Sequence, residues 1–229
     1  MKRILLKIAG KENFELDESI SLSDVFLLCV KYGIMLIRGF LKTAFCKNIS
    51  YKVFLGKNVK ILKKKNVRIG KNTKIYDNVK IDALSTKGVT IGDNVTIGKN
   101  TDIECTGSLS HIGKGIEIGN NTSFASNCYF GCAGGIKIGS NVIAGQNIRF
   151  HSENHNYNDL NTLIKDQGVT NKGIIIGDNC WIGSGAVLLD GVEIGNGCVI
   201  AANAVITKSF PDNTIIGGVP AKMLKKRGE

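Results

Sequence analysis

Aliphatic residues recur at every sixth position over long stretches of this chain, a period that belongs neither to an amphipathic helix nor to an alternating strand. Frames open at Ile69 and Ile75, at Ile91 and Ile97, and at Ile112 and Ile118. They then run unbroken through Ile176, Ile182, Leu188, Ile194, Ile200 and Ile206. Gly often follows the aliphatic residue, then x-Asn, then a small or β-branched residue. Such a hexad supplies one short strand and one tight turn, and the turn needs residues that tolerate positive φ, as Gly and Asn do. Three hexads close a triangular coil of about 18 residues, with the leading aliphatics aimed at the axis. Stacked coils pair their strands in parallel at ~4.8 Å. One coil cannot bury its own apolar residues, so stability requires several neighbours. From about Leu55 onward the hexads account for about seven coils. The pattern predicts a mainly β chain, a parallel β-helix.

Two stretches break the period. The first gives residues 1–50 as an N-terminal helical segment, ahead of a β-helix domain over 51–229. Within it, residues 22–45 read as a helix, with Ser21 or Ser23 as cap and Asp24 complementing the dipole. Its apolar surface is broad, and Lys31, Arg38 and Lys42 share a stripe with Asp24. A charged residue in mid-helix argues against a bilayer span, which needs ~20 mostly apolar residues. Two readings stand: packing on the β-helix end or a neighbouring subunit, or lying on an anionic membrane surface with help from Lys63-Lys64-Lys65. The second break, residues 151–173, carries no hexad and two of the three histidines. Insertions this long in compact domains are usually functional or disordered.

Composition narrows the partners. Thirty Lys and Arg against nineteen Asp and Glu give a formal charge of +11, which suits several polyanions. A nucleic-acid partner is not expected: no such fold signature is visible, and aromatics at 7% are too sparse for a stacking surface. Seven cysteines without a C-x-x-C pair read as free thiols of a reducing compartment. Cys180 and Cys198 should stack as small interior residues in adjacent coils. The opening Met1-Lys2-Arg3-Ile4-Leu5-Leu6 is interrupted by Lys7 and reads as a retained segment rather than a signal peptide. The protein is expected in the cytoplasm, peripheral at most to the inner face of the cell membrane.

His151 and His155 sit at the root of the insertion, where an imidazole can be rigidly based, exposed, and able to accept a hydroxyl proton near neutral pH. The run from Ile138-Gly139-Ser140-Asn141 to Asn154-His155-Asn156-Tyr157 lies in the same chain as Cys180-Trp181-Ile182-Gly183-Ser184. Ile206-Thr207-Lys208 and Gly217-Gly218-Val219-Pro220-Ala221-Lys222 complete the set. Together these resemble the hexapeptide-repeat acetyltransferases over about residues 50–227, and within them the polysaccharide O-acetyltransferases.

The resemblance implies a left-handed helix, a homotrimer with sites between subunits, and acetyl-CoA as cosubstrate without a required metal. It implies acetyl transfer to a sugar hydroxyl in surface polysaccharide biosynthesis, with His155 as general base. Ser184, Ala202, Thr207 and Lys208 match positions that line the cofactor groove. Lys222 and Lys225 match positions that meet its phosphates. Trp181 is either a packing residue on the coil exterior or a wall of that groove. Asn127 matches an acceptor-contacting asparagine if one gap is allowed. Tyr157 and Asp159 would shape the acceptor pocket or solvate the loop, and Glu153 would orient His155. The rival readings are an amino-sugar N-acetyltransferase or a serine acetyltransferase on the same fold, a zinc hydrolyase of the γ-carbonic-anhydrase kind using His111, His151 and His155, and a non-catalytic scaffold or sugar-binding module.

Overall fold

The computed structural model describes residues 17, 19–44, 46 and 48–229; the expectation for Met1–Leu6 lies outside them. The hexads fold as read, into a left-handed parallel β-helix. Its three faces are sheets of nine, seven and six strands. The first face starts at Phe54–Leu55, the second at Lys60–Leu62 and the third at Val67–Ile69, and the chain visits them in that order on every coil. The leading aliphatics form the axis: Ile75, Ile97, Ile182, Leu188 and Ile206 have no exposed surface. Midway up, Phe130 and Phe150 stack at 4.9 Å in the inner column of the second face, and Phe124 of the first face meets both edge-on, so three aromatic rings replace aliphatics along the axis.

The corners show how the sequence sets this shape. Between the first and second faces every link has four residues, from 56–59 to 201–204, and so does every link from third to first, from 70–73 to 195–198. Each of these turns needs one residue at positive φ. Asn fills eleven of these thirteen positions, from Asn58 (52°) to Asn203 (58°), and Gly185 and Gly197 fill the other two. Many of their amides bond to the next coil: Asn58 Nδ2 donates to Asn78 Oδ1 (3.2 Å), Asn78 to Asn100 (3.0 Å) and Asn100 to Asn127 (3.1 Å). The ladder satisfies polar side chains that the turn geometry demands.

The corner from second to third face behaves differently. It takes four residues at 63–66, then 83–88, 105–115, 132–135, 152–173 and 190–192. Every irregularity of length is collected on this one edge. Coils of about 18 residues were expected; that step holds from Trp181 to Val199, whereas Phe54 pairs with Lys74, Thr96 with Ser123 and Ile143 with Trp181. The Ile112 frame was a misreading for the same reason. Ile112 lies in the 105–115 excursion and is 43% exposed, and Ile116 and Ile118 fill the buried positions of that coil.

The helix, α1, spans Leu22–Thr43, with Ser21 and Asp24 forming a reciprocal capping box. It covers the first coil. At these positions of the ladder the N–H donates to the coil above, as Gly56 N does to Ile75 O and Lys60 N to Val79 O, so the matching carbonyls of the first coil, Leu55 O and Val59 O, have no coil below to satisfy them. Arg38 donates to Leu55 O (3.0 Å) and Lys42 to Val59 O (2.9 Å). Arg38 and Lys42 of the basic stripe are thereby turned onto the first coil, which agrees with the reading of the helix as packed on the β-helix end. Gly39 allows the contact: a Cβ there would lie 1.9 Å from Val53 O. At the other end an antiparallel hairpin, Thr214–Gly218 with Ala221–Lys226, closes the first face. The helix thus caps one end of the solenoid, and at the other end the hairpin caps the first face.

Candidate active site

The insertion at 151–173 is an ordered hairpin, tied down at both roots. Ser152, without exposed surface, donates from Oγ to Gly131 O (2.7 Å) and accepts from Gly134 N (2.9 Å). On the return, Asp190 of the next coil accepts from Lys172 N (3.0 Å) and Gly173 N (2.7 Å). Between these anchors Asn154–His155 pairs antiparallel with Val169–Thr170. Asn156 adds a bond from its N–H to Gly168 O and one from its amide to Gln167 O. Gln167 closes the tip: its Nε2 donates to Asp159 O and Thr162 O, and its Oε1 accepts from Asp159 N.

On this scaffold His155 is exposed on a short strand. Glu153 does not hydrogen-bond to it; with the Asn171 amide oriented to satisfy both of its atoms, that amide donates to Glu153 Oε2 at 3.1 Å. Tyr157 projects outward, 69% exposed. Asp159 organises the tip, accepting from Asn161 N (2.9 Å) and Thr162 Oγ1 (2.6 Å). These bonds, the one from Thr162 foremost, hold its carboxyl below the ordinary range.

His151 has a different setting. It ends the Arg149–His151 strand on the second face, with its ring 5.5 Å from that of Tyr129. Tyr129 Oη donates to Glu104 Oε2 (3.2 Å), and Lys80 pairs with Glu104 Oε1 (3.0 Å). Burial, then Glu104, pushes the Tyr129 phenol up to about 12. Burial, then Arg149, pushes the His151 imidazole down. A polar ladder therefore climbs the outside of the second face and ends at the root of the hairpin. Sequence reasoning missed Tyr129 and Glu104; the pairing sets Glu104, Gly131 and His151 in one column, with Tyr129 two residues away on the strand between, reaching Glu104 across the side-chain-free Gly131.

Ser184 and Ala202 occupy the same corner one coil apart, between first and second faces. Ser184 Oγ accepts from Gln146 N (3.3 Å). Thr207 and Lys208 lie across the second face, at the corner that bears the hairpin lower down, with Lys208 over the Phe210 ring. Lys222 and Lys225 are on the C-terminal hairpin, where Lys225 donates to Glu229 O. Trp181 is 57% exposed on the first face beside Ile143 and Val199. Asn127 is one of the turn asparagines, φ 62°, its carbonyl taken by Asn100.

One chain therefore does not gather all these residues into one cleft. Two grooves lie on the third face, of about 610 Å³ and about 550 Å³, and neither is lined by His155 or by any of the cofactor-groove positions. Among the described residues no three His, Cys, Asp or Glu side chains of one chain converge as metal ligands. His111 hydrogen-bonds from its ring to Ser110 instead. Cys180 and Cys198 are interior and stacked, as expected.

Residues 173–208 match the bacterial transferase hexapeptide (six repeats) family, and residues 53–101 and 88–129 match the hexapeptide repeat of succinyl-transferase. The chain is 38% identical over 101 residues to a Schizosaccharomyces pombe protein that is an acetyltransferase by name, covering 44% of this chain and 47% of that one. It is 32% identical over 91 residues to the galactoside O-acetyltransferase of Escherichia coli, covering 40% and 44%. The chain thus spans less than half the length of these curated relatives. Among solved structures, a mutant of AntD, an N-acyltransferase from Bacillus cereus, superposes with a TM-score of 0.54 at 18% identity, over 84% of this chain and 90% of that one. That likeness speaks for the fold. By its repeats and its three-sided coil, the chain is a hexapeptide-repeat left-handed β-helix, similar over these stretches to the bacterial transferase hexapeptide family.

Proposed function

We propose that this chain is an acetyl-CoA-dependent O-acetyltransferase that acetylates a sugar hydroxyl in surface polysaccharide biosynthesis, with His155 as general base. The observation that carries the reading is the mounting of His155: an exposed imidazole on a hairpin anchored at both roots, in the only link of the described coils that departs so far from the repeat. A purely structural excursion has no need of an exposed imidazole held by two anchors.

The corner of Ser184 and Ala202 suits a long thioester substrate, because its side chains are short and Ala202 is exposed. Lys208, Lys222 and Lys225 supply cations for phosphates. In the reaction, His155 takes the proton of the acceptor hydroxyl as the oxygen attacks the thioester carbonyl. The C–O bond forms, the C–S bond breaks, and the imidazolium returns the proton to the departing thiolate. The His151–Tyr129–Glu104 ladder lines the approach, its imidazole kept neutral and its phenol kept protonated near neutral pH. We place the second wall of the site on a neighbouring subunit of a homotrimer, and the protein in the cytoplasm, peripheral to the membrane.

Thiol release from acetyl-CoA, measured against a panel of neutral sugars and amino sugars, tests the reading. His155→Ala should lower turnover by ~10²–10⁴-fold with acetyl-CoA affinity nearly unchanged. Full turnover by the variant would overturn the assignment of the base. Selective use of the amino sugars would favour N-acylation, the class of chemistry named for AntD.

A further inference from the structure

The outward face of α1 is unlike the rest of the molecule. Val25, Met35, Gly39 and Thr43 are buried, Gly39 directly over Val53 of the first coil. The opposite stripe, at helical spacing, presents Leu22 (72% exposed), Phe26, Val30, Ile34, Ile37 and Leu41 (73%) without cover from any described residue. Contiguous exposed apolar surface of this kind marks an interaction site. No helix among the described residues is long and apolar enough to cross a membrane.

The charge of the chain is distributed with equal asymmetry. Residues 42–81 contain twelve of the thirty Lys and Arg and one of the nineteen Asp and Glu, so these forty residues hold the whole formal excess of +11. The remainder balances, eighteen against eighteen. Apart from Phe45 and Lys47, which lie outside the described residues, residues 42–81 are the end of α1 and the first coils, the end of the prism that α1 covers. Lys57, Lys60, Lys63, Lys65 and Arg68 are exposed there. Lys64 Nζ donates to Lys42 O, which ties the basic corner to the helix end.

We propose that the helix end of the prism docks on an anionic lipid surface, with the apolar stripe of α1 inserted at the headgroup boundary and the lysine-rich first coils against the headgroups. Arg38 and Lys42 are spent on carbonyls of the first coil, so the attraction comes from the coils themselves. Amphipathic helices bind membranes by this pairing of apolar area with electrostatic attraction. A second copy of the chain is the poorer occupant, because self-association through this face would bring two copies of the same excess charge together. The inference extends the peripheral placement proposed above but rests on observations separate from the acyl-transfer site.

Cosedimentation of the full chain with vesicles tests it. Vesicles of phosphatidylglycerol and phosphatidylcholine should bind the protein, and phosphatidylcholine alone should bind it at least tenfold more weakly. Binding to the anionic vesicles should weaken as salt is raised from about 0.1 to 0.5 M. Phe26→Ser with Ile37→Ser should abolish partition. Lys60→Gln with Lys63→Gln and Lys65→Gln, which leaves Lys64 in place, should lower it by roughly one to two orders of magnitude. His155→Ala should bind vesicles as the parent does, so failure here and failure of the catalytic reading are distinguishable. Equal binding to neutral and anionic vesicles would overturn the proposal. So would apolar-stripe variants that keep their partition, or that instead dissociate an oligomer seen by sedimentation velocity, which would make the face a subunit interface.

Discussion

Removing one hydroxyl should loosen the hairpin that carries His155. Ser152 is fully buried, and Ser152→Ala leaves Gly134 N without its acceptor and takes one of two donors from Gly131 O, which keeps Ser152 N at 3.1 Å. An unsatisfied buried donor costs about 1–3 kcal/mol. For a chain of this size each kcal/mol moves the melting temperature by about 2–4 °C, so a loss of several degrees is expected. The cost falls at the root of the hairpin, so the opening should be local. Amides of residues 154–170 should then exchange about five to a hundredfold faster, while the axis amides of the same coil keep their protection. Displacement of a reacting group by about 1 Å can cost 10²-fold in rate. We therefore expect kcat to fall about 10–100-fold, with the KM for acetyl-CoA within about twofold, since Ser184, Ala202 and the C-terminal lysines hang on other elements. Hydrogen exchange followed by mass spectrometry, with steady-state kinetics on the same preparation, reads all of this. A variant that melts earlier but exchanges and turns over like the parent would refute the rooting of the hairpin at Ser152.

Three further outcomes follow from the geometry. Gly39→Ala would gain up to about 1 kcal/mol in a free helix, but here its Cβ meets Val53 O, so limited proteolysis should cut α1 faster in the variant; unchanged cleavage would show that the helix need not sit so close. Asn100 holds φ at 55° and bonds to Asn78 and Asn127, so thermal stability should rank parent above Asn100→Gly above Asn100→Ala, the last adding about 1–2 kcal/mol of left-handed strain; equal losses would remove conformational freedom as the cause. His151 has its pKa lowered in the fold by burial and then by Arg149, so below about 6.5 the unfolded chain binds more protons and stability falls on acidification. The melting-temperature difference between pH 7.5 and pH 5 should be smaller in His151→Gln, and an identical difference would exclude this ring as a contributor.

The solenoid was legible because its period is local: each buried aliphatic and each turn asparagine is decided within six residues. Ile112 shows where that logic stops, since an aliphatic at the right spacing is indistinguishable from a coil residue until its neighbours in space are known. The helix was legible for the same local reasons, yet the direction of its faces was not. Arg38 and Lys42 look like solvent-facing cations until the orphan carbonyls of Leu55 and Val59 are seen beneath them. Within the candidate site the position of His155 follows from the break in the repeat. Its anchors, Ser152 and Asp190, stand 38 residues apart and carry no motif, and Glu104, Tyr129 and His151 meet only through coil steps of unequal length.

The uneven edge of the prism has an engineering consequence. Two edges keep a fixed count of residues, and one added residue there would turn every later inward side chain outward. The third acts as an open seam, already hosting links of very different length, so foreign peptide can be spliced into the 105–115 excursion while the rungs above keep their register. A reporter or affinity handle carried there would ride on the column's flank, far from both of its ends.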